Sequence, residues 1–184
     1  MKGKITGLIE HLEPDLILGG AIFNLTPDLI YQYNLKGLVL DVDGTLVPLN
    51  VSEASDPLLQ WIEDMRSIVS LWLVSNNISE SRIGGIAKTL NLPYITGAAK
   101  PSRRKLRQAV NAMGLPVHQV AMVGDRLFTD VLAGNRLGMF TILVEPMIDP
   151  VFGQSSYLIR DLEVSFSKVL GVSIPAKQQK LKKK

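Results

Sequence analysis

Asp41 and Asp43 stand two residues apart at the end of the apolar run Leu38–Val42. On an extended chain such residues point to the same side, so two carboxylates would meet at one strand end. Side by side they repel, and a cation relieves the repulsion. Mg²⁺ suits the place, because it takes one or two carboxylates together with waters and phosphate oxygens. Gly44 lets the chain depart sharply. Taken alone, the pair reads as readily as a solvated turn. Ser75-Asn76-Asn77 offers a hydroxyl, an amide and backbone N–H groups suited to phosphate oxygens, and alone it reads equally as a loop and helix cap. Lys100, just before Pro101, is a cation that could offset charge on a transferring phosphoryl group; in isolation it would be a surface lysine. Gly124-Asp125 adds a carboxylate able to complete a metal site with Asp41, or to cap a helix. Asp130 would fall on the first turn of that helix, close enough to support the site.

These residues gain weight from the elements that would carry them. Leu38–Val42, Ile68–Val74, Tyr94–Thr96, Val120–Val123 and Phe140–Val144 read as strands. Helices are predicted over Pro57–Ser67, Ser79–Leu90, Pro101–Met113, Phe128–Leu137 and Ser156–Leu170, and a short one from Thr26-Pro27-Asp28 to about Asn34. Strands apolar throughout are buried on both faces, and their alternation with helices implies a parallel sheet covered on both sides. The expected fold is α/β: a three-layer, doubly wound, mainly parallel five-stranded sheet with helices on both faces. Residues 1–36 form an arm with a short helix, 37–172 the domain, and 173–184 a basic, disordered tail. Ligands of such sheets bind beyond the carboxyl ends of the strands. All four polar clusters fall at those ends, and right-handed crossovers bring them to one rim.

Composition narrows the chemistry. The 184 residues contain no cysteine, which excludes disulfides, thiolate metal sites and cysteine catalysis. Net charge is +3, but Lys177, Lys180, Lys182, Lys183 and Lys184 supply the excess. Without them 15 basic residues face 17 acidic ones. No compact leader is visible, and the run Leu16–Phe23, broken by Gly19 and Gly20, is far short of the ~20 residues that span a bilayer. A cytoplasmic protein is expected, able to sit peripherally on a membrane. Trp61 and Trp72 read as core or partly buried, and His11 and His118 lack metal-site spacing.

Asp41-Val42-Asp43-Gly44-Thr45-Leu46, Ser75, Lys100 and Gly124-Asp125 with Asp130 together resemble, in order, the four motifs of the haloacid dehalogenase (HAD) superfamily of phosphotransferases. The resemblance covers about residues 38–144 and implies a mechanism. Asp41 would attack phosphorus and carry an aspartyl-phosphate. Asp43 would protonate the leaving oxygen and then activate water. Mg²⁺ would be held by the Asp41 and Asp125 carboxylates and the Asp43 backbone carbonyl. Ser75, Asn76 and Lys100 would hold phosphoryl oxygens, and Asp130 would orient the metal shell.

Asp43 and Ser75 lie 32 residues apart, and Ser75 and Lys100 lie 25 apart. A predicted helix and strand fill each gap, leaving no room for the cap domain that many members insert. An open site suits phosphate on something large. The wording of residues 35–43, 124–131 and 134–138, with Pro14-Asp15 and Leu25-Thr26-Pro27, resembles the capless YqeG-type branch, subfamily IIIA, related to the phosphatidylglycerophosphate phosphatases. Many relatives have Glu or Asn in place of Gly44. The resemblance implies a phosphorylated lipid at an anionic membrane surface as substrate, with no nucleic-acid partner. Val47, Pro48, Leu49, Leu127, Phe128 and the tail lysines are expected to approach that surface. The alternatives are a phosphoprotein, a nucleic-acid end or a soluble phosphate ester as substrate, or a non-catalytic binding module on the same fold.

Overall fold

The computed structural model describes residues 10–49 and 51–147. The chain forms β1 (Leu16–Ile17), α1 (Pro27–Gln32), β2 (Gly37–Leu40), α2 (Asp56–Arg66), β3 (Ser70–Val74), α3 (Glu80–Leu90), β4 (Tyr94–Ile95), α4 (Arg104–Met113), β5 (Val120–Gly124), a π-helical turn Leu127–Val131, α5 (Leu132–Leu137) and β6 (Phe140–Leu143). The predicted helix Ser156–Leu170 and the tail lysines lie outside the described residues.

The strands make one sheet in the order β1-β6-β5-β2-β3-β4, with every pairing parallel. Leu38 sits between Leu71 and Ala121, and Leu40 between Leu73 and Val123. Successive side chains of β2 serve opposite layers, as the two-residue strand period requires. Leu38 and Leu40 pack with Leu58, Ile62, Ile83 and Ile86 of α2 and α3. Val39 packs with Leu106 and Val110 of α4 and Ala133 of α5. The three-layer α/β architecture is as expected.

Among the described residues the sheet has six strands, not the expected five. The sixth comes from the stretch read as an arm. Thr141 donates its backbone N–H and hydroxyl to Asp15 Oδ2 at 2.7 and 3.0 Å, which docks β1 beside β6. Two residues interrupted by glycines carry too little periodicity to read as a strand; the edge of the sheet recruits them. The helix expected over 128–137 begins instead as the π turn.

From β2 the chain winds outward through β3 and β4, then returns to the other side of β2 as β5. The reversal lies between β2 and β5, where open parallel sheets leave a crevice. Among the described residues, the β2–β3 and β3–β4 connections hold one helix each and no separate domain.

Candidate active site

Asp41 follows β2 directly, and its N–H still extends the ladder, donating to the Val123 carbonyl at 2.9 Å. The chain then folds tightly on itself. Gly44 has φ +85°, and its N–H donates to the Val47 carbonyl at 2.8 Å. A Cβ on Gly44 would lie 2.7 Å from Asp125 Oδ2, so glycine alone allows the β2 and β5 ends to approach this closely. Thr45 Oγ1 donates to Asp125 Oδ1 at 3.1 Å across that contact.

Gly124 repeats the device at the end of β5, since a Cβ there would lie 2.3 Å from Asp130 Oδ2. The π turn adds a residue to the helical turn and swings Asp130 back against the strand. Its Oδ2 accepts from the Arg126 N–H at 3.3 Å, and its Oδ1 lies 2.7 Å from Lys100 Nζ.

Lys100 is buried among three acceptors. Besides Asp130, its Nζ reaches Asp41 Oδ1 at 2.6 Å and the Val74 carbonyl at 2.9 Å. The ammonium donates to Asp41 Oδ1 and the Val74 carbonyl and forms an ion pair with Asp130, whose buried Oδ1 accepts no hydrogen bond. Burial would lower the Lys100 pKa, but Asp130 and Asp41 beside it raise it, so the group stays charged. Asn76 fixes the backbone here. Its Oδ1 accepts from the Lys100 N–H at 2.7 Å and its Nδ2 donates to the Lys100 carbonyl at 3.1 Å. The Asn76 amide, expected to face phosphate oxygens, is instead a brace for Lys100.

Ser75 is fully buried; its Oγ accepts from the Asn77 N–H at 3.0 Å and points toward Asp43 Oδ2 at 3.5 Å. Asp43 has a partner that the sequence reading missed. Arg82 Nη1 lies 2.5 Å from Asp43 Oδ1, and Arg82 Nη2 donates to the Val51 carbonyl at 2.6 Å. Asn77 Nδ2 donates to Asp43 Oδ2 at 3.1 Å, while its Oδ1 accepts from the Ser79 N–H at 2.9 Å. Ser79 caps α3, so the cap and the Asp43 support are one structure. A signal for Arg82 was present: a cation in the first turn opposes the helix dipole, so its position needs another reason.

Asp41, Asp125 and Asp130 each place a carboxylate oxygen within 4.8 Å of the others, and all three are buried. Asp43 is not in this group, because its carboxylate turns to Arg82. One ammonium cannot balance three buried carboxylates. Burial pushes Asp41 up from 3.8 to about 7; Lys100 opposes the rise, while Asp130 and Asp125 add to it. Burial likewise pushes Asp125 to about 6, with Asp130 adding and Arg126 opposing. Oxygen-only donors with uncompensated negative charge fit a hard divalent cation. Ser75, Asn76, Asn77 and Lys100 line a cavity of about 270 Å³ with Asp41, Asp43 and Asp130. Leu49, Arg126 and Thr129 complete its wall, none of them assigned to it from the sequence.

Every residue singled out for chemistry therefore lies at one crevice, on the carboxyl ends of β2, β3 and β5 and beyond β4. Comparison with known proteins gives the family. Residues 97–146 match the HAD-hydrolase-like family model. The chain is 39% identical over 127 residues to the "Probable phosphatase YqeG" of Bacillus subtilis (strain 168), covering 68% of this chain and 73% of that protein. It is 31% identical over 121 residues to the chloroplastic phosphatidylglycerophosphate phosphatase 1 of Chlamydomonas reinhardtii, covering 61% of this chain and 45% of that protein. For the chloroplastic/mitochondrial phosphatidylglycerophosphate phosphatase 1 of Arabidopsis thaliana the identity is 25% over 129 residues, covering 65% and 37%. The chain spans less than half the length of these two plastid relatives. With a YqeG-like sequence over most of its length, this chain belongs to the HAD-like hydrolase family, among its phosphatases.

Proposed function

We propose that this chain hydrolyses phosphate monoesters with Mg²⁺ through an aspartyl-phosphate on Asp41, and that its substrate is phosphatidylglycerophosphate, converted to phosphatidylglycerol and inorganic phosphate. The observation that carries the chemistry is the buried Lys100 ammonium between Asp41 and Asp130, beside Asp125 and at the floor of the cavity. Asp41 and Asp125 would hold the cation, with the Asp43 backbone carbonyl and the Asp130 carboxylate as further donors. When bound, Mg²⁺ supplies neutralisation of phosphoryl charge.

Asp41 attacks phosphorus as the bond to the leaving oxygen breaks. Lys100 and Ser75 hold the phosphoryl oxygens, and Lys100 offsets their charge. Asp43, at the cavity wall, gives its proton to the leaving oxygen. It then takes a proton from the water that attacks the phosphoenzyme, which frees phosphate and restores the Asp41 carboxylate. Arg82 and Asn77 hold Asp43 in place until substrate enters.

The lipid substrate is supported by what the two plastid relatives are named for, and by the absence of an inserted cap among the described residues. No described helix is long and apolar enough to cross a membrane. The test is a panel of phosphate esters with Mg²⁺ or EDTA. The expected result is slow aryl phosphate hydrolysis, abolished by EDTA and by Asp43→Asn, and faster turnover of phosphatidylglycerophosphate than of glycerol phosphate. Efficient cleavage of a soluble sugar phosphate with indifference to the lipid would reject the substrate and keep the phosphatase.

A further inference from the structure

The apolar residues expected to meet a membrane do not all face outward. Val47 and Leu127 are each 1% exposed and belong to the core. The rim offers different residues. Ile78 is 85% exposed, and it follows directly on Asn77 of the cavity wall. Among the described residues it is one of two large apolar side chains left in solvent, with Tyr31. Tyr31 lies in α1, which leads into the amino end of β2, whereas the cavity lies at the carboxyl end of that strand.

Beyond Lys100 in the chain, Ser102, Arg103, Arg104 and Arg107 line an open groove of about 560 Å³ with Arg136. Arg103 Nη1 donates to the Arg136 carbonyl at 2.9 Å, and Arg136 Nη1 donates to the Pro101 carbonyl at 3.2 Å. These bonds tie the groove to the residue after Lys100. Arg104 and Arg107 are exposed, and among the described residues no carboxylate forms an ion pair with any of the four arginines. Neither α4 nor α5 contains an acidic residue. Arginines gathered at the start of α4 oppose its dipole and repel one another. That arrangement costs stability, and an anionic surface would repay it.

We infer that the rim around the cavity is a docking surface for an anionic bilayer: Arg104 and Arg107 take phospholipid headgroups while Ile78 enters the acyl boundary. The inference rests on the lipid reading above and adds the residues by which the chain holds the membrane. Basic side chains beside an exposed apolar residue match an anionic interface, where charge attracts and apolar burial anchors. Ile78 adjoins Asn77 of the cavity wall, and the groove is bonded to Pro101, the residue after Lys100, so each feature is joined in sequence to a residue that lines the cavity.

The chain has no cysteine, so Ile78→Cys in the full chain accepts a single environment-sensitive fluorophore. On phosphatidylcholine vesicles containing phosphatidylglycerol its emission should shift to the blue. It should stay aqueous on pure phosphatidylcholine, and the shift should fade in ~0.5 M salt. The same label at Tyr31→Cys should not respond. Arg104→Gln with Arg107→Gln should weaken vesicle binding roughly thirty-fold, the expected loss for two basic residues near an anionic surface, with aryl phosphate hydrolysis unchanged. A label at 78 that stays aqueous on bound protein, or undiminished binding by the double variant, would overturn the docking surface. So would arginines that bind glycerol phosphate or a phosphopeptide while vesicles are ignored. Detergent-dispersed phosphatidylglycerophosphate separates the two failures: turnover there without vesicle docking keeps the substrate and rejects the surface, and docking without turnover does the reverse.

Discussion

Replacing Asp41 by asparagine should abolish turnover and stabilise the metal-free protein. Asp41 is 6% exposed, and burial with Asp130 and Asp125 nearby lifts its pKa from 3.8 to about 7. The folded state therefore keeps a proton that the unfolded chain has released between about pH 4 and 7. With more protons bound in the folded state, stability falls as pH rises through that window. A three-unit rise corresponds to an upper bound on the order of 4 kcal/mol at neutral pH, at about 1.4 kcal/mol per unit. Asparagine carries no charge to desolvate, and its oxygen can still accept from Lys100. Lys100 loses one ionic partner and keeps Asp130, which returns part of the gain. Urea denaturation in EDTA at pH 7 should show Asp41→Asn more stable than wild type by about 1–3 kcal/mol, with a shallower decline from pH 5 to 7. Mg²⁺ should stabilise the wild type more than the variant, because a ligand carboxylate is gone. Aryl phosphate hydrolysis should fall by at least ~10³-fold, since the amide is a poor nucleophile. A metal-free variant less stable than wild type would refute the electrostatic argument, and near wild-type turnover would refute the nucleophile.

Lys100→Met should destabilise the metal-free protein by about 3–5 kcal/mol, because it leaves Asp41 and Asp130 buried without their cation; Mg²⁺ should restore part of this in the same denaturation assay. Arg82→Met should cost about 1–3 kcal/mol through the loss of charged hydrogen bonds to Asp43 and Val51, and it should lower turnover of aryl phosphate while leaving Mg²⁺ affinity by calorimetry near that of wild type. Gly124→Ala should displace Asp130, which a Cβ would meet at 2.3 Å, costing about 1–3 kcal/mol and weakening Mg²⁺ binding in the same calorimetric titration.

Much of this protein was legible in the sequence, for a local reason. Leu38–Leu40, Leu71–Val74 and Val120–Val123 are apolar without alternation, which marks strands buried on both faces, and the intervening helices leave a parallel sheet as the arrangement that covers them. Polar residues at the ends of such strands must share a rim, so the sequence by itself puts Asp41, Ser75, Lys100 and Asp125 together. What the tertiary structure decided depends on contacts between distant segments. Asp15 and Thr141 are 126 residues apart, and their pairing recruits the sixth strand. Arg82 and Asp43 are 39 apart, and no pattern within one element announces their bond. The Asn76 amide has the chemistry of a phosphate ligand, and only the fold brings the Lys100 N–H and carbonyl to it as partners. Asp130 reaches Lys100 because the chain takes a π turn where its residues also suit an ordinary helix. Val47 and Leu127 are apolar at a rim, and packing alone settled that they turn inward while Ile78 does not. Periodicity reports which face of an element is buried; which side chains meet across elements is set by how the layers close.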